Sequence, residues 1–148
     1  MSQRIQRGLR IERLRELREQ AGMTRGDLAR LSEVSPSTIS SWERAGAAPD
    51  IARLVKVAAV LGVTIGELVE VDPSVQMPSD IRIRKGMSQV DLARAAGLST
   101  AVTSAFERAE VAWKDKYAAP IAAVLDVPIE ELRAAWERAR RRPPGTPA

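Results

Sequence analysis

The sequence predicts an all-α chain built as two tandem five-helix units with an extended C-terminal helix. Three observations predict it. Apolar residues recur at spacings of three and four, no segment holds a convincing period-two alternation, and the chain matches itself at an offset of 64 residues. Gly22-Met23-Thr24 falls on Gly86-Met87-Ser88, and Asp27-Leu28-Ala29-Arg30 on Asp91-Leu92-Ala93-Arg94. Ser35, Ser40 and Glu43-Arg44-Ala45 fall on Ser99, Ser104 and Glu107-Arg108-Ala109. Leu61, Val63, Ile65, Glu67 and Leu68 then fall on Leu125, Val127, Ile129, Glu131 and Leu132 without a gap.

Each element of the first unit has its own signals. Leu9, Ile11, Leu14 and Leu17 put an apolar stripe on a first helix that stops near Gly22. Thr24 and Asp27 have capping-box spacing, with Asp in place of the usual Glu, ahead of a helix carrying Leu28 and Leu31. Ser35 reads as an N-cap with Pro36 at the first helical position, opening a helix that buries Ile39 and Trp42. Only about three residues part these two helices, so they cross steeply instead of lying antiparallel. After the loop at residues 45–49, Ile51, Leu54, Val55, Ala58, Ala59 and Leu61 mark a fourth helix, and Ile65 and Leu68 a fifth.

The repeat sets the predicted boundaries: a first unit at residues 1–71, a proline-containing linker at 72–78, a second unit at 79–142 and a disordered tail at 143–148. The second unit's first helix is short, squeezed between Pro78 and Gly86. Its last helix carries a stripe of Ile129, Leu132, Ala135, Trp136 and Ala139 that outruns the repeat, covered either by its own unit or by a partner.

Composition removes most chemistry. The 148 residues include no cysteine and no histidine, which excludes thiolate nucleophiles, disulfides, Ser-His triads and zinc sites built from those side chains. No catalytic residue, metal, cofactor or small-molecule ligand is expected, and the chain reads as a non-enzyme. The longest apolar stretch, residues 51–65, is broken by Arg53 and Lys56, so neither a membrane span nor a signal peptide is expected, and the cytoplasm is the default location. Charge is uneven. Eleven Lys and Arg face nine Asp and Glu over residues 1–71, eight face nine over 72–133, and four face one over 134–148. A polyanion is one reading of the Arg-rich start, and a solvated helix the other.

The string Leu17-Arg18-Glu19-Gln20-Ala21-Gly22-Met23-Thr24, then Asp27-Leu28-Ala29, Val34-Ser35, Ser37-Thr38-Ile39-Ser40, Trp42-Glu43-Arg44, and finally Leu61-Gly62-Val63 and Leu68, resembles the phage-repressor-like (Cro/CI, XRE) helix-turn-helix family. The match covers roughly residues 9–70, and a degenerate copy covers about 79–133. The resemblance implies two lambda-repressor-like domains and a sequence-specific DNA-binding transcription regulator, most readily a repressor. It implies that residues 36–44 form the recognition helix in the major groove. Carried over by position, Pro36, Ser37, Thr38 and Ser41 face bases, Ser40 touches backbone, and Arg25 and Arg44 are phosphate candidates. Arg7, Arg10 and Lys56 are weaker ones. The loop at 45–49 lacks the basic or polar residues that relatives often place on phosphate. Arg18 and Glu43, 25 residues apart, correspond to a scaffold ion pair that Arg82 and Glu107 repeat. The aromatic residues Trp42, Phe106, Trp113, Tyr117 and Trp136 read as core in preference to a ligand cage.

In the second unit the equivalent positions hold Thr100, Ala101, Val102 and Ala105, with Thr103 in place of Ile39. These offer few hydrogen bonds, and the surrounding charge repels phosphate. Three readings stay open for this unit: a dimerising or positioning copy, a second DNA reader, and a sensor of protein or ligand. Double-stranded DNA and a second copy of the chain are the expected partners. The competing class is a protein-interaction module, such as an antitoxin or antirepressor, on the same scaffold. The basic end with Arg138, Arg140, Arg141 and Arg142 reads either as added nonspecific DNA affinity or as a solubilising tail.

Overall fold

The capping signals close on the backbone in both copies. A computed structural model describes residues 4, 5 and 7–148. The first unit, Met1–Glu70, holds α1 (Ile11–Gln20), α2 (Arg25–Ser32), α3 (Pro36–Ala45), α4 (Ile51–Leu61) and α5 (Ile65–Leu68). The second, Val71–Ala148, holds α6 (Pro78–Arg84), α7 (Gln89–Ala96), α8 (Thr100–Glu107), α9 (Asp115–Leu125) and α10 (Ile129–Arg141). Among the described residues the only β pairings are two isolated bridges, Arg4 with Asp50 and Leu9 with Val69.

At the start of α2, Thr24 Oγ1 accepts from the Asp27 N–H at 3.0 Å, and Asp27 accepts from the Thr24 N–H at 2.9 Å. Ser88 and Asp91 repeat this reciprocal cap on α7, at 3.1 and 3.0 Å. Those bonds, the backbone donor first, hold both aspartates below the usual carboxylate range. Ser35 caps α3 with Pro36 at the first helical position, and Asp50 caps α4 through the Arg53 N–H at 3.0 Å. Each unit then closes its helices over its own core. Leu14, Leu28, Ile39, Leu54, Val57 and Leu68 are fully buried in the first, and Leu92, Phe106, Ile121, Leu125 and Leu132 in the second. Burial of such a side chain contributes about 1.5–3 kcal/mol.

Several expectations are corrected by packing. Leu9 is not helical: Gly8, at φ +81°, precedes it, and Leu9 pairs with Val69 while Arg10 N–H donates to the Leu68 carbonyl at 2.7 Å. On α2 the buried face is Leu28, Ala29 and Ser32, leaving Leu31 exposed. Ser32 tolerates burial because its hydroxyl donates to the Leu28 carbonyl at 2.6 Å. On α4 the deepest residues include Val57, whereas Ala59 faces solvent. Residues 76–78 are not linker. Gln76, Met77 and Pro78 are buried in the second unit, with Pro78 opening α6.

The C-terminal stripe is covered from within its own unit: Leu132, Ala135, Trp136 and Ala139 are buried, and α10 packs on α6, α8 and α9. Residues after α10 also fold back. The Arg142 Nε donates to the Thr146 carbonyl at 3.1 Å, and Ala148 packs against the second core.

The turn between α2 and α3 places Glu33 in the left-handed region at φ 59°, and Gly97 holds the equivalent position at φ 69°. A side chain there costs about 1–2 kcal/mol, partly offset because glycine loses more freedom on folding. Glu33→Gly is therefore expected to stabilise the first unit by about 0.5–1 kcal/mol, seen as a higher urea midpoint with an unchanged slope.

Candidate nucleic-acid interface

α3 divides sharply into two faces. Ile39, Trp42 and Glu43 are buried against the unit, while Pro36, Ser37 and Arg44 are exposed and Thr38, Ser40 and Ser41 are half-buried. The outer face thus presents small hydroxyl side chains, which allow close approach by another surface. The hydroxyls are linked: Ser35 Oγ lies 2.7 Å from Thr38 Oγ1 and 3.2 Å from Ser37 Oγ, and accepts from the Thr38 N–H at 3.2 Å. Because a hydroxyl both donates and accepts, this chain fixes the rotors without using up their capacity.

Behind that face lies a charge cluster. The Glu43 carboxylate is fully buried and receives Arg18 bidentately, Nε at 2.9 Å and Nη2 at 2.7 Å. Arg25 Nε reaches the same carboxylate at 3.4 Å and Arg15 Nε at 3.6 Å, and Arg15 also donates to the Glu43 carbonyl at 2.6 Å. Burial pushes the Glu43 carboxyl up, but the Arg18 hydrogen bonds and charge, with Arg25 behind them, outweigh it and hold it below the usual range. Two of the three guanidinium groups have acidic partners of their own on α1, Arg15 with Glu12 at 3.0 Å and Arg18 with Glu19 at 3.9 Å. The Arg18–Glu43 pair is the one the family resemblance implied. The share taken by Arg15 was not foreseen, and its only sequence signal is its place one helical turn before Arg18 on α1.

The second unit keeps the scaffold with fewer arginines around it. Arg82 Nε meets the buried Glu107 at 2.7 Å, and Gln89, the counterpart of Arg25, donates to the same carboxylate at 2.7 Å. Ser79 stands where the first unit has Arg15. On α8, Thr100 and Ala101 are exposed, Val102 and Ala105 are half-buried, and Thr103 is fully buried, its hydroxyl donating to the Ser99 carbonyl at 2.9 Å. Arg108, the counterpart of Arg44, is tied to Ser104 and to Glu110, the latter at 3.0 Å.

The other basic candidates are partly engaged. Arg10 pairs with Glu70 at 3.2 Å, and Lys56 is exposed on α4. Most of the C-terminal arginines serve the second unit itself: Arg138 donates to the Gln76 carbonyl, Arg140 to Ala109 and Arg142 to Arg108, at 2.6–3.0 Å. Phe106, Trp113 and Trp136 form a contiguous aromatic group, with centroids 5.6 and 5.7 Å apart, at the core of this unit. Trp42 is buried, and Tyr117 sits half-buried beside Lys116.

Two packed helices joined by a three-residue turn, the second capped by serine and exposing a polar face, define a helix-turn-helix protein. The model of the helix-turn-helix family matches residues 14–68 and again residues 79–132. The chain therefore belongs to that family, in its phage-repressor-like (XRE) form, as two tandem copies. It is of the class of DNA-binding transcription regulators. None of the curated proteins matches it. Among the described residues no helix is long and apolar enough to cross a membrane.

Glu43 carries a pH signature. Its folded carboxyl titrates below its unfolded value, so the stability it contributes is complete above about pH 4.3 and is lost as pH falls through the lower, folded value. Glu43→Gln removes the buried counter-charge of Arg18 and is expected to cost about 3–5 kcal/mol. Urea unfolding at stepped pH should also show a flatter acid limb for the variant than for the wild type.

Proposed function

We propose that the first unit reads DNA through α3 and that the protein is a sequence-specific repressor which occludes a promoter. Pro36, Ser37, Thr38 and Ser41 meet base edges in the major groove, and Ser40, Arg25 and Arg44 hold the sugar–phosphate backbone. The observation that carries this reading is the contrast between the two copies at matched positions. Arg44 is exposed where Arg108 is pinned by Ser104 and Glu110. Arg25 adds charge where Gln89 is neutral, and hydroxyls stand where α8 offers Ala101, Val102 and Ala105. An exposed arginine and hydroxyls in the first copy, against a pinned arginine and apolar side chains in the second, favour DNA at the first.

In this reading the second unit does not read bases and instead positions the first. Ser and Thr give a permissive base code, and one α3 face makes few contacts. Specific binding then draws on two first units, in a homodimer on an inverted repeat with half-sites about 34 Å apart.

Sequence selection from random duplex DNA with the full chain tests the proposal. Recovery of an inverted repeat supports both parts. A single asymmetric site removes the dimer, and no enrichment removes DNA reading in favour of a protein-binding role. On the selected site, Arg44→Ala is expected to weaken binding about equally on all sequences and to reduce the salt slope by about 0.9. Thr38→Ala should change base preference at one position by up to roughly 1–3 kcal/mol, and Thr100→Ala should change nothing.

A further inference from the structure

We infer that the extended segment ahead of α1 supplies a DNA-backbone contact that the loop after α3 lacks, with Arg4 as the phosphate ligand. The inference rests on the reading of α3 as the DNA-facing helix. Residues 45–49, Ala-Gly-Ala-Ala-Pro, carry no cation and no side-chain donor. The chain compensates by placing Arg4 and Ile5 against the end of that loop. Ile5 N–H donates to the Pro49 carbonyl at 2.9 Å, Arg4 bridges Asp50, and the Ile5 side chain is 3% exposed. Arg4 is consequently placed by anchored backbone, although it lies far from α3 in sequence.

Its side chain lines a cleft of about 450 Å³ shared with Ser37, Thr38 and Ser41 of α3 and with Asp50 and Arg53 of α4. Asp50 is the one carboxylate there, and it is already committed. It caps α4 and pairs with Arg53 Nη1 at 2.6 Å. That bonding offsets its burial and holds the carboxyl below the usual range, so it stays charged and paired. With Arg53 cancelling Asp50, Arg4 leaves the cleft one positive charge, directly beside the hydroxyl face. A phosphodiester running along the edge of α3 is the anion this arrangement fits: one exposed cation, open to solvent, flanking the hydroxyl face that meets the bases. The second unit has no such arrangement. Its loop is held by Arg140 of α10 and by Arg142 just after that helix, and Lys114 replaces Asp50.

The test uses the full chain and the duplex recovered by selection, with affinity followed by fluorescence anisotropy between 0.1 and 1 M salt, taken as about the usable range for counterion analysis. Arg4→Ala is expected to lower the slope of log affinity against log salt by about 0.9, which makes binding about eightfold weaker at the low end relative to the high end. The selected sequence and the thermal midpoint should be unchanged, and Arg4→Lys should restore the slope. Ile5→Ala, which loosens the anchor, should reproduce the loss, and adding Arg4→Ala to it should cost little more. An unchanged slope in Arg4→Ala, while Arg44→Ala still lowers it, overturns this inference and leaves the α3 reading intact. A changed base preference in Arg4→Ala also overturns it, by making Arg4 a base reader. Absence of selective binding by the wild type is a different failure, that of the α3 reading itself.

Discussion

The buried carboxylate at the end of α3 is the constraint around which each unit is arranged. A charge removed from water has to be paired and hydrogen-bonded, or it does not remain charged. Glu43 therefore demands Arg18, and Arg18 in turn donates to the Met23 carbonyl at 2.8 Å. That one guanidinium joins α1, the turn before α2 and the last turn of α3. Arg82 performs the same three-way closure with Glu107 and the Met87 carbonyl. Both copies keep the 25-residue spacing because any other register would leave a buried charge alone.

With the scaffold held this way, the exposed faces were free to diverge. Arginines 15 and 25 crowd the first copy's carboxylate, whereas the second has serine and glutamine at 79 and 89, the glutamine serving Glu107 with a neutral donor. The second copy has invested elsewhere: α10 extends beyond its counterpart α5, closes its own core with Trp136 and returns three arginines to carbonyls of its own unit. Of the two covers that the sequence left open for this helix, its own unit and a partner, the first is the one seen. Its one large residue left partly open is Ile129.

Much of the fold was legible in the sequence because capping is a local code. Thr24 with Asp27 and Ser35 with Pro36 act over three residues, and each marked a helix start to the residue. The ion pair was legible through the family resemblance, and the duplication repeats its spacing. What escaped were non-local choices. Leu31 and Leu28 are equally apolar, and only the packing of α2 on α3 and α4 decides that Leu28 is the one buried. Residues 76–78 carry prolines and no periodicity, yet the second core needs Met77. Arg4 stood out only as one of an Arg-rich start, since its place depends on a backbone bridge to a residue far along the chain. Of the candidate site, the hydroxyl face of α3 was visible from spacing, but the sharing of Glu43 among three arginines was not.

The caps have a consequence for how the molecule responds to its surroundings. Asp27, Asp50 and Asp91 start helices, and Glu43 closes the scaffold, and all four carboxyls are held below the ordinary range. The chain has no histidine and no cysteine. No side chain is thus left whose ordinary titration falls between about pH 5.5 and 8. Across the range of acidity a living cell experiences, those four carboxylates keep their charge, and proton concentration is a signal to which the helix starts and the clamp are deaf.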